Sequence, residues 1–326
     1  MPVILDELSE IPFTTALDAF GGTGSVAYAL KCAGKLVTYN DILAFNHQIG
    51  LALIENDSIV LSDEKINSIG ERESGVTYDD FIERTFEGIY FTAEENCWLD
   101  VAVQNIHRLT CPYERAIAWF ALFQSAMAKR PYNLFHRRNL YMRLANVKRS
   151  FGNKTSWDRP FDVHFKVFAQ NANQALIDSS GACRAVCRDA LDVEPDYDLV
   201  YIDTPYINRA GVGVDYHGFY HFLEGMMAYD RWPELIDYRT KHRRLIPRES
   251  PWSRPNSSPE LFRALFNHFR NSTLVVSYRS DGTPTVNQLE KLLWSIKTSV
   301  RICDAVPHPY ALSKNRWSNE VLIVAV

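Results

Sequence analysis

At 326 residues the chain is long enough for one large domain or two small ones, and 46% hydrophobic with 23% charged residues is an ordinary globular balance. A run of about 18 apolar residues and a basic-apolar-small leader are both missing, which argues against a membrane span and a secretory signal. The formal net charge of −4 does not mark a nucleic-acid binder, although a local basic face would be enough for one. The six cysteines form no CxxC pair, and Cys183 and Cys187, four apart, would be neighbours on a helix rather than zinc ligands. No metal site is expected, and the thiols fit a reduced, cytoplasmic protein.

The first organised stretch is a strand over residues 16–20, the turn Gly21-Gly-Thr-Gly24, and a run of helix formers over 25–33. Ser25 is placed to cap that helix and Gly34 to end it. Residues 35–39 read as a second strand, closed by Asn40-Asp41. The glycines let the backbone approach a ligand, and the helix start offers free N–H groups. Three readings meet here. One is an ordinary βα turn. A second is a loose dinucleotide fingerprint, Gly22-x-Gly24-x-x-Ala27 with Asp41 as the ribose acid. The third is a site for a cationic ligand, because Asp18 at the strand end would repel a pyrophosphate and attract an ammonium group.

Between residues 45 and 173 the pattern is mostly helical. Residues 57–75 are polar loop or short helix, and 92–109 and 113–127 have helical apolar spacing, with Pro112 near a helix start. From 129 to 154 the character changes. Lys129, Arg130, Arg137, Arg138, Arg143, Lys148, Arg149 and Lys154 are interleaved with Tyr132, Phe135, His136, Tyr141 and Phe151, with no Asp or Glu among them. Cations neutralise phosphates, and aromatics or amides reach bases, so this interval is the expected nucleic-acid contact, against the plainer reading of a solvated basic helix face. Arg137 and Arg138, with Asn139, Arg143 and Asn146, are expected to line one helix face. A second basic stretch, 239–248, lies in a Pro- and Ser-rich region and reads equally as a loop against DNA or as plain surface.

The most informative stretch is Asp198-Leu-Val-Tyr-Ile-Asp-Thr-Pro-Tyr206. Its apolar run reads as a buried strand ending at Asp203. A carboxylate, a proline-locked turn and an aromatic follow at the strand's carboxyl end, where open α/β sheets hold their ligands. His217 and His221 have helical zinc spacing but no third ligand nearby, so aromatic packing is the better reading. Residues 273–278 are a strong strand, and the chain ends in another, Glu320-Val-Leu-Ile-Val-Ala-Val326.

Two motifs carry a family resemblance. Asp203-Thr-Pro-Tyr206 resembles the Asp-Pro-Pro-Tyr motif of the N6-adenine DNA methyltransferases (D12 class). Asp18-Ala-Phe-Gly-Gly-Thr-Gly-Ser25 resembles their first motif, Asp-x-Phe-x-Gly-x-Gly-Ser. Asp215-Tyr-His-Gly-Phe-Tyr-His-Phe-Leu-Glu224, the turn after the strand at 273–278 and the terminal strand are similar to later family blocks. The resemblance implies a Rossmann-like, S-adenosylmethionine-dependent methyltransferase sheet over 1–60 and 160–326. A mainly helical target-recognition insert would occupy 61–159. It implies methyl transfer to N6 of a flipped-out adenine in double-stranded DNA, in a restriction-modification system with a separate endonuclease or as an orphan enzyme.

By the same resemblance Asp18, Phe20, Gly22, Gly24, Ser25, Asp41 and Asp189 would hold the methyl donor. Asp203, Thr204, Pro205 and Tyr206 would act on the base, and Arg316 and Asn319 would add DNA contacts. Threonine at 204 departs from the family's proline but keeps the main-chain carbonyl that the chemistry uses. The family's Gly-x-Lys segment has no counterpart before Asp18; Gly152-Asn153-Lys154 has a similar look but falls in the insert. N4-cytosine methylation, usually with Ser at the first motif position, and a DNA-binding module that has lost catalysis are the alternatives.

Overall fold

The computed structural model describes residues 2–147, 153–208, 211–248, 250–254, 258–307 and 319–326. The chain divides into two compact units, one formed by 1–42, 179–215 and 249–326, the other by 43–178 and 216–248. These bounds differ from the 1–60, 61–159 and 160–326 division expected from sequence. The second unit reaches past that insert because residues 161–174 and 216–248 supply part of its core, including Phe161, Phe165, Phe222 and Trp232.

The first unit is a seven-stranded sheet. Its strands are β1 (Thr15–Asp18), β2 (Leu36–Asn40), β3 (Arg184–Val186), β4 (Leu199–Ile202), β5 (Thr273–Arg279), β6 (Val300–Pro307) and β7 (Asn319–Ala325), in the order β3-β2-β1-β4-β5-β7-β6. The first five are parallel, and β7 runs antiparallel to both β5 and β6. The central strand β4 reads as a continuous apolar run because both of its faces are covered, and all four of its residues are buried. Leu17, Val200, Leu274 and Ile323 form a core with Phe262, Leu265 and Phe266 of the helix Ser258–His268 and Leu289 and Leu293 of the helix Val286–Trp294.

The register decides the rest. Asp18 pairs with Tyr39 of β2 and with Tyr201 of β4, so the carboxyl ends of β1, β2 and β4 open on one edge. The order reverses between β1 and β4, and that is where such sheets take ligands.

The second unit is helical. The helix Ala93–Arg108 starts at a capping box of Thr92 and Glu95, and the helix Pro112–Ala128 starts with its proline, as the spacing predicts. Together with the helix Phe161–Gln174 they enclose an aromatic core of Phe86, Tyr90, Phe91, Trp119, Phe123, Phe135, Phe165, Phe222 and Trp232. No helix among the described residues is long and apolar enough to cross a membrane.

Candidate active site

The glycine turn is built by its neighbours on β2. Tyr39 covers Gly21, where an added Cβ would lie 2.1 Å from the ring, and its hydroxyl donates to the Gly22 carbonyl at 2.7 Å. Gly24 has φ 74, left-handed backbone that glycine adopts without penalty, and it occupies the cap position of the helix Ser25–Cys32. Ser25 is therefore the first helical residue rather than the cap expected from sequence. Its hydroxyl lies 2.9 Å from that of Thr23. Asp41 accepts from the Gly22 N–H at 2.9 Å, so one of its oxygens fixes the turn. Phe20 packs edge-on against Trp252, with ring centroids 5.1 Å apart.

Asp18 ends β1 with 1% of its surface exposed, and its Oδ1 has no hydrogen-bond partner. Burial, and then the charge of Asp203, push its pKa up to about 8, against hydrogen bonds from the backbone of Ala27 and Phe20. Asp203 follows β4, one strand over. Burial drives its pKa up to about 7; the Tyr206 hydroxyl, which donates to it, works the other way, and the charge of Glu320 adds to the rise. Two carboxyls thus lie at adjacent strand ends, close enough for the charge of Asp203 to raise Asp18; Asp18 is fully buried, and Asp203 keeps part of its surface exposed.

Thr204 is buried with its hydroxyl unpartnered, and Pro205 is half-buried. Tyr206 packs edge-on against Tyr278 of β5 at 5.8 Å. Beyond it the chain is anchored to the turn after β5: Thr283 N–H donates to the Ile207 carbonyl at 2.9 Å and Asn208 bridges Gly282. Glycine is needed at 282, because a Cβ there would meet the Tyr278 ring at 2.5 Å. Asp189, just past β3, caps the short turn Ala190–Asp192 by accepting from Leu191 N–H at 3.0 Å.

Two further residues belong to this edge. Asn40 donates to the Ala19 carbonyl at 2.9 Å and accepts from Arg188 N–H at 3.1 Å, tying the ends of β1 and β3 across β2. Glu320 on β7 accepts from Ser277 at 2.6 Å and raises Asp203. Asn40 was legible as the residue closing the second predicted strand. Glu320 gave no signal, because its place depends on an antiparallel pairing of the chain's last strand.

The expected DNA contacts divide. Lys129, Arg130 and Arg143 are buried to 1%, 1% and 4% exposure, which corrects their reading as phosphate ligands. Lys129 and Arg143 share Glu95, at 2.8 and 2.6 Å, and both donate to the Trp157 carbonyl. Arg130 lies 4.3 Å from the Tyr90 ring centroid and donates to the carbonyls of Leu134 and Arg137. A single helix face through 137–146 is also not formed: the helix there is only Leu140–Leu144, with Asn139 buried at its start.

Arg137 and Arg138 are exposed on the loop that Arg130 braces. Lys154 is exposed but pairs with Asp158 at 2.6 Å. Asn319 is half-buried, and its backbone is engaged with Ser280. Lys148, Arg149 and Arg316 lie outside the described residues.

A mostly parallel sheet with a glycine turn and strand-end acids at its reversal point defines an α/β ligand-binding enzyme domain of Rossmann-like form. The comparison with known proteins gives the family. The model of the D12 class N6 adenine-specific DNA methyltransferases matches residues 1–279, and the chain belongs to that family. It is 26% identical over 323 residues to the Type II methyltransferase M2.HphI of Haemophilus parahaemolyticus, covering 96% of this chain and 90% of the relative. It is 24% identical over 305 residues to the Type II methyltransferase M.FokI of Planomicrobium okeanokoites, covering 86% of this chain and 42% of the relative. Membership makes the protein an enzyme that transfers a methyl group from a donor to DNA, with N6 of adenine as the family's acceptor rather than N4 of cytosine.

Proposed function

We propose that this chain methylates N6 of adenine in duplex DNA with S-adenosylmethionine as donor, through the acids at the ends of β1 and β4. The observation that carries the reading is the buried, unpartnered oxygen of Asp18. A buried acceptor without a donor is costly, and the cationic amino group of S-adenosylmethionine supplies one. The donor set fits that molecule: Asp18 for the ammonium, the Gly22–Gly24 backbone for close approach, Asp41 for ribose hydroxyls and Asp189 for the adenine amine, with Phe20 and Ser25 at the rim. Bound there, S-adenosylmethionine supplies a methyl group made electrophilic by its sulfonium.

The protein's own task is to make a poor nucleophile available. The adenine amine has its lone pair delocalised into the ring. In this reading Asp203 and the main-chain carbonyl of Thr204 each accept one of its two N–H groups. That favours a tetrahedral nitrogen whose lone pair is free. Pro205 biases Thr204 towards extended backbone, so the departure from the family's proline leaves the carbonyl in use. Tyr206 stacks on the base once it leaves the duplex. Alignment and electrostatics then account for the catalysis.

In this reading the sheet unit is catalytic and the helical unit carries target recognition; exposed Arg137, Arg138 and Lys154 of the helical unit contact DNA, as does Asn319 of the sheet unit. Because both relatives are Type II methyltransferases, we take the setting to be type II restriction-modification in the cytoplasm, with a separate endonuclease. The test is incorporation of tritium from labelled S-adenosylmethionine into duplex DNA, followed by nucleoside digestion. N6-methyl-2′-deoxyadenosine from the wild type and none from Asp203→Ala is the expected result. Label on cytosine, or unchanged transfer by Asp203→Ala, would overturn the reading.

A further inference from the structure

The second unit contains a cleft of about 350 Å³ lined by charged and hydroxyl side chains from three separate stretches. Arg84 comes from the first, Arg138 from the braced loop, and Tyr238, Arg239, Lys241 and Arg243 from a short turn far along the chain. The turn is tied at its base. Ile236 bridges Leu245, Asp237 N–H donates to the Arg244 carbonyl at 2.8 Å, and Ile246 N–H donates to Leu235 at 2.7 Å. The Asp237 carboxylate, 6% exposed, takes Arg239 Nε at 2.7 Å. At the tip Arg243 has φ 56, donates to the Tyr238 carbonyl at 2.9 Å and lies over the Tyr238 ring at 5.4 Å.

The cleft is short of acids. Asp79 and Asp80 sit against Arg84, and Asp237 sits against Arg239. Arg138, Lys241 and Arg243 are left facing one lining acid, Glu87. Bringing cations together on a protein of net negative charge costs self-repulsion, which a bound anion relieves. The lining is neither apolar nor enclosed, as a small-molecule site would be, and an exposed tyrosine sits at the mouth. Arg130 is part of the same construction, because its guanidinium holds the Leu134 and Arg137 carbonyls and so sets the loop that presents Arg138.

We infer that this cleft grips the sugar-phosphate backbone of duplex DNA, with Arg138 and Lys241 as phosphate contacts and the turn 236–245 as their platform. The inference rests on the reading of the chain as a DNA methyltransferase. It adds a backbone-holding site to which nothing in the methyl-transfer geometry points. Phosphate contacts of this kind set orientation and affinity without reading sequence.

The test compares the full-length wild type with the Arg138→Gln/Lys241→Gln double variant. A Lys166→Gln/Arg231→Gln variant, with the same charge change at exposed sites outside the cleft, serves as control. Fluorescence anisotropy with a labelled duplex is expected to show affinity reduced about tenfold or more in the cleft variant. The slope of log affinity against log salt should be shallower by about 1.8, the value for two lost phosphate contacts. The control should keep the wild-type slope, and all three should share one melting temperature.

Equal affinity and slope in wild type and cleft variant would overturn the inference, as would a wild type that binds no duplex. Calorimetric titration with inorganic phosphate separates the other source of the same chemistry. Phosphate binding lost in the variant with duplex binding unchanged would make the cleft a free-anion site and overturn it too. Methyl incorporation is scored separately. Wild-type transfer with an unaltered variant slope would fail the cleft alone, and duplex binding that depends on the cleft without methyl transfer would fail the activity alone.

Discussion

The hydroxyl of Tyr206 donates to Oδ1 of Asp203, three residues before it, so the aromatic at the end of the motif is bonded to the acid at its start. The bond opposes the burial that drives Asp203 up to about 7. The carboxylate is the stronger acceptor for the one amine N–H that Asp203 takes, and protonation turns one of its oxygens into a donor. Methylation under kcat/KM conditions should therefore fall as pH drops through about 7, with a slope of one. Tyr206→Phe keeps the ring and deletes the donor. Its expected signature is an acid limb displaced to higher pH, with activity recovered at pH 9. A pH profile that is flat between about 6 and 8, or one that Tyr206→Phe leaves in place, would remove Asp203 from this role.

Asp18 gives a second pH-linked outcome. Its pKa is raised to about 8, chiefly by burial, so the free protein holds it largely protonated at neutral pH. A cationic amino group beside it favours the carboxylate. Binding of S-adenosylmethionine at pH 7 should accordingly release close to one proton, and affinity should increase from about pH 6 towards about pH 8. Calorimetry in buffers of different ionisation heat reads the proton directly. Asp18→Asn should weaken binding by about tenfold or more and abolish the release. Unchanged proton release in that variant would detach Asp18 from the donor.

How far the sequence reads through to these features depends on the kind of information each needs. The strand ends were legible because a parallel sheet turns local apolar runs into a shared edge: Asp18 and Asp203 are 185 positions apart yet lie on adjacent strands. The basic interval was misleading for a physical reason. Its aromatics suggest groups that reach bases, but Phe135 packs against the Arg130 guanidinium inside the core. The counter-charge for Lys129 and Arg143 is Glu95, more than 30 positions upstream of either. An interval without acids says nothing about acids that the fold brings to it. The stretch 239–248 was ambiguous for the complementary reason, since its convergence with Arg138 and Arg84 is a tertiary fact.

Thr204 offers a stability test at the site. Its hydroxyl is buried without a partner, and such a group costs roughly 1–3 kcal/mol relative to a bonded one. Thr204→Val removes the hydroxyl and keeps the shape. The unliganded protein should gain about 1 kcal/mol in urea denaturation, and methylation should stay within about threefold because the main-chain carbonyl is untouched. Activity lost with stability unchanged would instead assign the hydroxyl a contact with substrate or donor.

Glu95 should be the most sensitive polar position in the helical unit. It caps the helix Ala93–Arg108 through Thr92 and neutralises both Lys129 and Arg143. Burial acts to raise its pKa, but the hydrogen bonds from Arg143 and Lys129 prevail and hold it below its ordinary value. A carboxyl held low in the folded state contributes stability above its unfolded pKa and loses it as pH falls through the folded value. Glu95→Ala should cost about 3–5 kcal/mol at pH 7, because two cations stay buried without their counter-charge. Replacing all three groups at once, as Glu95→Met/Lys129→Met/Arg143→Leu, should recover most of that loss, since no unpaired charge is left. Urea denaturation of the single and triple variants checks both halves. A single variant within about 1 kcal/mol of wild type would mean that the cations relax to solvent, and the network would then have no structural role.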